Sequence, residues 1–314
     1  MKLSEFDQSF YNKNISIIAG VDEAGRGPLA GPVVAAAVIL PKYYNLDSIK
    51  DSKKISEKKR ILIFDEIVEN AVDYGVGICH EDEIDKINIL ESTFKAMKKA
   101  LGSLHKKPDL TLIDGLKTKI KIYKCKHIVK GDSKSQAIAA ASIIAKVVRD
   151  KIMIHYDKIY PEYGFSKHKG YGTKFHIDAI KSNKSCPIHR KSFKPISNHL
   201  PSFSYFNTDL KVHNLCVKIV ASFYVRKKYD ILEIFQSKIF DILHLEERRN
   251  VLSIIVCDNS NSKRIDFNKY KNDRIKNELI LKEKELKLNI ELDVIFVKLS
   301  KQKPKIIIEK NVYK

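Results

Sequence analysis

Four acidic residues in this chain, Asp22, Glu23, Asp114 and Asp132, stand where chemistry on a polyanion could be done. Asp22 and Glu23 close an apolar run that begins at Ile15, and a glycine-rich turn follows them, Gly25-Arg26-Gly27-Pro28-Leu29-Ala30-Gly31-Pro32. Charges that end a buried strand need a reason. Grouped carboxylates bind hard cations such as Mg²⁺. Two such ions about 4 Å apart, sharing several carboxylates, suit in-line attack on a phosphodiester. Arg26, flanked by glycines, can set a guanidinium and several backbone N–H groups on a phosphate. Asp114 precedes Gly115 and Asp132 precedes Ser133. Each of these two also has a plainer reading, as a turn residue or a helix cap.

The elements that must position these acids are legible in the hydrophobic pattern. Residues 15–21 and 32–40 read as strands joined by the glycine turn, and 72–79 and 109–113 as further strands. Residues 56–70 read as an amphipathic helix with Ser56 as its N-cap, and 82–101 as a helix with Ile84, Ile87, Leu90, Phe94, Met97 and Leu101 on one face. Ser133 and Gln136 have the spacing of a capping box opening a helix from Ala137 to about Ile159. That helix begins with small residues, suited to close packing on a sheet. Strands alternating with helices argue for an α/β sheet with carboxylates at strand ends. Arg149 and Asp150 read as a structural ion pair.

Lys and Arg number 58 against 38 Asp and Glu, a formal charge of +20 spread over both halves, which favours a polyanionic partner, nucleic acid first. The five cysteines are far apart and form no CxxC pair, so neither a disulfide framework nor a zinc site is supported. There is no signal-type apolar core at the N-terminus and no apolar run of about 18 residues. No membrane association and a cytoplasmic location are expected.

Six motifs then carry a resemblance. Gly20 to Pro32, Asp51-Ser52-Lys53-Lys54, Ile113-Asp114-Gly115, Lys130-Gly131-Asp132-Ser133-Lys134, Ile138 to Val147, and His168-Lys169-Gly170-Tyr171-Gly172-Thr173 resemble ribonuclease HII in order and approximate spacing, over residues 14–197. Ribonuclease HIII typically has Gly-Thr-Gly where this chain has Gly25-Arg26-Gly27. The resemblance implies a ribonuclease H-like mixed sheet with flanking helices. It implies an endonuclease that cuts the RNA strand of RNA–DNA hybrids and cuts 5′ of ribonucleotides embedded in duplex DNA, removing misincorporated ribonucleotides and RNA primers. Asp22, Glu23, Asp114 and Asp132 match the acids that bind Mg²⁺ or Mn²⁺. Gly25, Arg26 and Gly27 match the segment that contacts the ribose 2′-OH and its phosphate. Tyr171 matches the tyrosine that stacks on the deoxyribose after the RNA–DNA junction, and Lys53 a lysine on the DNA backbone. A monomer is expected.

Family chains usually stop near Pro195. Residues 1–200 are therefore expected to form the catalytic domain, 201–209 a linker rich in Ser, Asn and Pro, and 210–314 a smaller α/β domain without glycine. The extension resembles a small bacterial family of restriction-endonuclease-like proteins with Gly-Glu-Ile-Asp and Val-Glu-Val-Lys segments. Asp241 matches the first aspartate, but Lys238-Ile239-Phe240 precede it, and Val256-Cys257-Asp258-Asn259 stands in place of Val-Glu-Val-Lys. The implied copy is catalytically dead. Two roles stay open for it, added duplex affinity through phosphate contacts and an inert appendage.

Overall fold

The structure is a computed structural model that describes residues 2–49, 56–115, 120, 122–235, 239–246, 248–257, 267–299 and 304–313. In chain order it forms α1 (Leu3–Gln8), β1 (Ile18–Ala24), β2 (Val33–Ile39), α2 (Glu57–Asn70), β3 (Asp73–Cys79), α3 (Glu81–Gly102), β4 (Leu110–Asp114), β5 (Cys125–Ile128), α4 (Gln136–Ile159), α5 (Phe165–His168) and α6 (Lys174–Asn183). There follow α7 (Asp209–Arg226), β6 (Asp230–Ile234), β7 (Ile242–Glu246), β8 (Arg249–Cys257), α8 (Asp273–Leu286), β9 (Ile290–Lys298) and β10 (Lys305–Glu309). Among the described residues no helix is long and apolar enough to cross a membrane.

Two compact units result. One holds Met1–Met153, His168–Ile177 and Ile188–Asn198; the other holds Ile154–Lys167, Asp178–Pro187 and His199–Lys314. The units therefore interleave along the chain instead of parting at 201–209. Within the second, Lys218 Nζ meets Glu162 Oε1 at 2.6 Å, Tyr163 Oη donates to Lys184 O at 2.8 Å, and Ser185 N donates to His199 O at 2.9 Å. These bonds tie the two short segments to the long C-terminal one.

The first unit is built on a five-stranded mixed sheet in the order β3-β2-β1-β4-β5. β1 runs antiparallel to β2 and parallel to β4, and β4 is parallel to β5. Strand periodicity sends alternate side chains to opposite faces. Ala36 and Val38 join Ile63 and Ile67 of α2 and Ala139, Ala140 and Ile144 of α4. Val33, Ala35 and Ala37 join Ile84, Met97 and Leu101 of α3. Helices cover both faces, so the strands read as continuous apolar runs. Gly20 marks a close approach of α4 to the sheet: a Cβ there would collide with the Ala137 carbonyl. This approach is why α4 opens with alanines.

Ser56 caps α2 as expected, accepting from Lys59 N at 3.3 Å. The expected cap of α4 is corrected by two residues. Gly131–Ser133 form a separate 3₁₀ turn, and the Ser133 hydroxyl turns back to donate to Lys130 O at 2.8 Å. Ser135 Oγ takes the cap instead, accepting from Ile138 N at 3.2 Å. Gln136 Oε1 accepts from Leu46 N at 2.8 Å rather than closing a capping box.

The second unit carries a smaller five-stranded sheet, β10-β9-β8-β7-β6, with β8 and β9 parallel. Leu243, Leu252, Leu292, Val294 and Leu279 of α8 form its core.

Candidate active site

β1 and β4 end side by side. The parallel pairing of Val21 with Ile113 sets Asp22 beside Asp114 at the carboxyl edge of the sheet. Gly131 N donates to Asp114 Oδ1 at 2.5 Å, which holds the Gly131–Ser133 turn, and with it Asp132, against the end of β4. Asp22 is 6 % exposed and Asp132 7 %. Burial, then the charges of Glu23 and Asp114, push the Asp22 carboxyl well above its usual range, with a hydrogen bond from Ser142 of α4 opposing them. Burial also raises Glu23, opposed by Arg26, whose Nη1 lies 3.1 Å from Glu23 Oε1.

A cavity of about 450 Å³ opens beside these carboxylates, lined by Glu23, Gly25, Arg26, Gly27, Asp132, Ser142 and Tyr171, with Arg60 and Lys146 on its wall. The Arg26 side chain is about half exposed and Tyr171 is 46 % exposed. The Tyr171 ring stands beside Gly27, its Cε1 3.7 Å from where a Cβ of that residue would be. Eight of the nine site residues expected from the sequence are thus seen: Glu23, Gly25, Arg26, Gly27, Asp132 and Tyr171 share one cavity, and Asp22 and Asp114 adjoin it. Lys53 lies outside the described residues.

The glycine turn is held by two arginines that are less than 2 % exposed. Arg190 donates from Nη2 to Gly25 O at 2.5 Å, from Nη1 to Arg26 O at 2.9 Å and from Nε to Gly31 O at 3.0 Å. Arg149 donates from Nε to Pro32 O, from Nη2 to Ala30 O and from Nη1 to Lys169 O, at 3.0, 3.1 and 2.9 Å. Arg149 therefore ties the turn to the loop that presents Tyr171, and Leu29 N donates to Gly170 O at 2.8 Å in the same seam. Gly25 has φ of +95°, and a Cβ there would fall 2.0 Å from Arg149 Nε. Only glycine fits.

The expected Arg149–Asp150 pair is corrected here. Asp150 instead meets Lys146 Nζ at 2.7 Å and Arg60 Nη1 at 3.8 Å. A guanidinium with five fixed donors satisfies backbone carbonyls that a turn leaves unpaired, a demand invisible in the local sequence. Behind Tyr171, His176 Nδ1 bonds Tyr171 O at 2.9 Å and His176 Nε2 bonds His189 Nε2 at 3.0 Å. Burial pulls His176 down to about 4, so it is neutral near pH 7.

The donor set fits hard divalent ions. Burial, then the anionic neighbours Glu23 and Asp114, disfavour ionisation of Asp22, and a divalent cation there would offset both. Among the described residues no three His, Cys, Asp or Glu side chains are drawn around one point.

A mixed sheet with carboxylates at the ends of adjacent parallel strands, and helices on both faces, defines a nuclease of ribonuclease H-like fold. The chain is similar to the ribonuclease H2 of Pyrococcus horikoshii in its solved structure, with a TM-score of 0.52 and 28 % identity over 58 % of this chain and 96 % of that one. The chain belongs to the ribonuclease HII family, whose model matches residues 19–196. It is 55 % identical to the ribonuclease HII of Endomicrobium trichonymphae over 194 residues, 62 % of this chain and 92 % of that protein. It is 54 % identical to that of Clostridioides difficile over 188 residues, 60 % of this chain and 74 % of that protein.

Proposed function

We propose that this chain hydrolyses the RNA strand of RNA–DNA hybrids and cuts on the 5′ side of single ribonucleotides in duplex DNA, leaving a 5′-phosphate and a 3′-OH. The observation that carries this reading is one cavity shared by Glu23, Asp132, the Gly25-Arg26-Gly27 turn and Tyr171. Asp22, Glu23, Asp114 and Asp132 would hold Mg²⁺ or Mn²⁺. Such ions would supply a water of lowered pKa near neutral pH and positive charge beside the departing 3′ oxygen.

The chain's own residues supply recognition. The 2′-OH is the one group that separates RNA from DNA at a given position. Backbone groups of Gly25 and Gly27 meet it without an intervening side chain. The Arg26 guanidinium faces the adjoining phosphate. The Tyr171 ring offers a flat face to a sugar carbon that bears no hydroxyl, so it favours deoxyribose at the next position. Lys53 would contact the DNA backbone. The +20 charge supports duplex binding.

Asp22→Asn tests the reading. Cleavage of a ribonucleotide-containing duplex should fall to background in Mg²⁺ while most of the duplex affinity remains. Turnover at the parent rate would overturn the assignment.

A further inference from the structure

The second unit contains a cluster that the ribonuclease reading does not use. α7 carries His213 and Cys216 three residues apart, on one helical face. β8 ends on Cys257, and Asp241 lies just before β7. Five cysteines with no short spacing gave no sign of such a meeting. Yet the Cys257 thiol is hydrogen-bonded to Cys216 and to His213. Its sulfur also sits 3.8 Å from Val212 O. His213 Nε2 is 2.7 Å from Asp241 Oδ1, and the other carboxylate oxygen accepts from Ile255 N at 2.6 Å. Asp241 is buried, Cys216 is fully buried and Cys257 is partly open.

This order of groups divides the labour between two thiols. The fixed Asp241 carboxylate keeps His213 protonated, raising it to about 10. The bond from Cys216, joined by that from the imidazolium, pulls Cys257 below the ordinary thiol range, and the same partnership pushes Cys216 up. One sulfur is partly open to solvent and its ionised form is favoured. The other is a buried thiol hydrogen-bonded to it. A thiolate attacks; a neighbouring thiol resolves.

We propose that Cys257 is a peroxide-reactive thiolate and that Cys216 closes a disulfide with it. The Cys257 thiolate attacks one oxygen of a hydroperoxide, the O–O bond breaks, and the departing oxygen leaves as hydroxide or alkoxide and takes a proton from solvent. Cys257 is then a sulfenic acid. Cys216 attacks its sulfur, a sulfur–sulfur bond forms, and the hydroxyl leaves with the Cys216 proton as water. Two thiols and one peroxide thus give one disulfide and two waters, or one water and an alcohol. The product joins α7 to the end of β8.

The test uses the full-length, reduced chain with excess reductant removed. Stoichiometric hydrogen peroxide should give a species lighter by two hydrogens whose proteolytic map joins the peptides of Cys216 and Cys257. Cys79 and Cys125, whose thiols burial holds up, should stay reduced. In Cys216→Ala, dimedone should capture Cys257 as the sulfenic acid. The pH midpoint for alkylation of Cys257 by iodoacetamide should lie below the ~8.5 of a free thiol and rise by about one unit or more in Asp241→Asn. Overall alkylation rate is a poor readout, because a lower thiol pKa also lowers nucleophilicity. The proposal fails if peroxide gives no Cys216–Cys257 linkage, or if Cys257 titrates as an ordinary thiol. Ribonuclease activity is not read, so failure here leaves that function untouched.

Discussion

Arg190→Lys removes the clamp on the glycine turn while keeping a positive charge. In the parent, one planar group reaches the carbonyls of Gly25, Arg26 and Gly31 at 2.5 to 3.0 Å. A lysine ammonium is a point donor on a flexible stem and cannot span three acceptors held in a fork. It keeps one of the three bonds. Two charge-assisted bonds are lost at roughly 1.5–3 kcal/mol each, about 3–6 kcal/mol in all, with the freed carbonyls buried. For a chain of this length that corresponds to a fall in melting temperature of roughly 5–9 °C. The chemistry should suffer unevenly, because the turn reads the 2′-OH. Cleavage of a duplex with one ribonucleotide should drop further than cleavage of a long RNA–DNA hybrid, which offers many registers. Thermal unfolding and kcat/KM on both substrates measure this, with Lys191→Ala as the control, since Lys191 is exposed next door. If Arg190→Lys melts within about 2 °C of the parent and keeps the ratio of the two substrates, the clamp argument is wrong.

The Asp7 carboxylate accepts from Ala137 N at 2.8 Å, and burial raises its pKa from 3.8 to about 6. A raised acid gives stability that is complete below 3.8 and is lost as pH rises through 6, so Asp7→Asn should match the parent near pH 4 and exceed it at pH 7 by up to about 3 kcal/mol; urea melts at both pH values check this. His176 has the opposite sign: its folded value is depressed to about 4, so stability is complete above 6.5 and falls as pH drops toward 4, and an NMR titration should place the imidazole well below 6.5. Gly25→Ala should abolish activity and destabilise the first unit, since φ of +95° and the Arg149 contact both exclude a Cβ; near-parental melting would contradict this.

Much of this site is written in the sequence because local chemistry demands it. Asp22-Glu23 at the end of an apolar run, and an arginine between glycines, are expensive arrangements that chains keep only for a purpose. The sheet and α2, α3 and α4 follow from periodicity. The features that escaped are those set by distant partners. Ser133 and Ser135 look alike as caps until the left-handed Lys130 shows where the turn closes. Arg149 stands next to Asp150 in sequence, yet its donors face Pro32, Ala30 and Lys169, more than a hundred residues away in two cases. The second unit's segments 154–167 and 178–187 fall inside the family match at residues 19–196, so a cut near residue 205 would divide a compact body. Cys216 and Cys257 are 41 positions apart, and only the pairing of α7 with the second sheet joins them.

The most direct test of the central claim is incubation of the full chain with a duplex DNA that contains one ribonucleotide, with and without Mg²⁺, followed by mapping of both new ends. The account predicts a Mg²⁺-dependent cut on the 5′ side of the ribonucleotide, with a 3′-OH on one fragment and a 5′-phosphate on the other. An intact duplex, or a cut on the 3′ side ending in a cyclic phosphate, would contradict it.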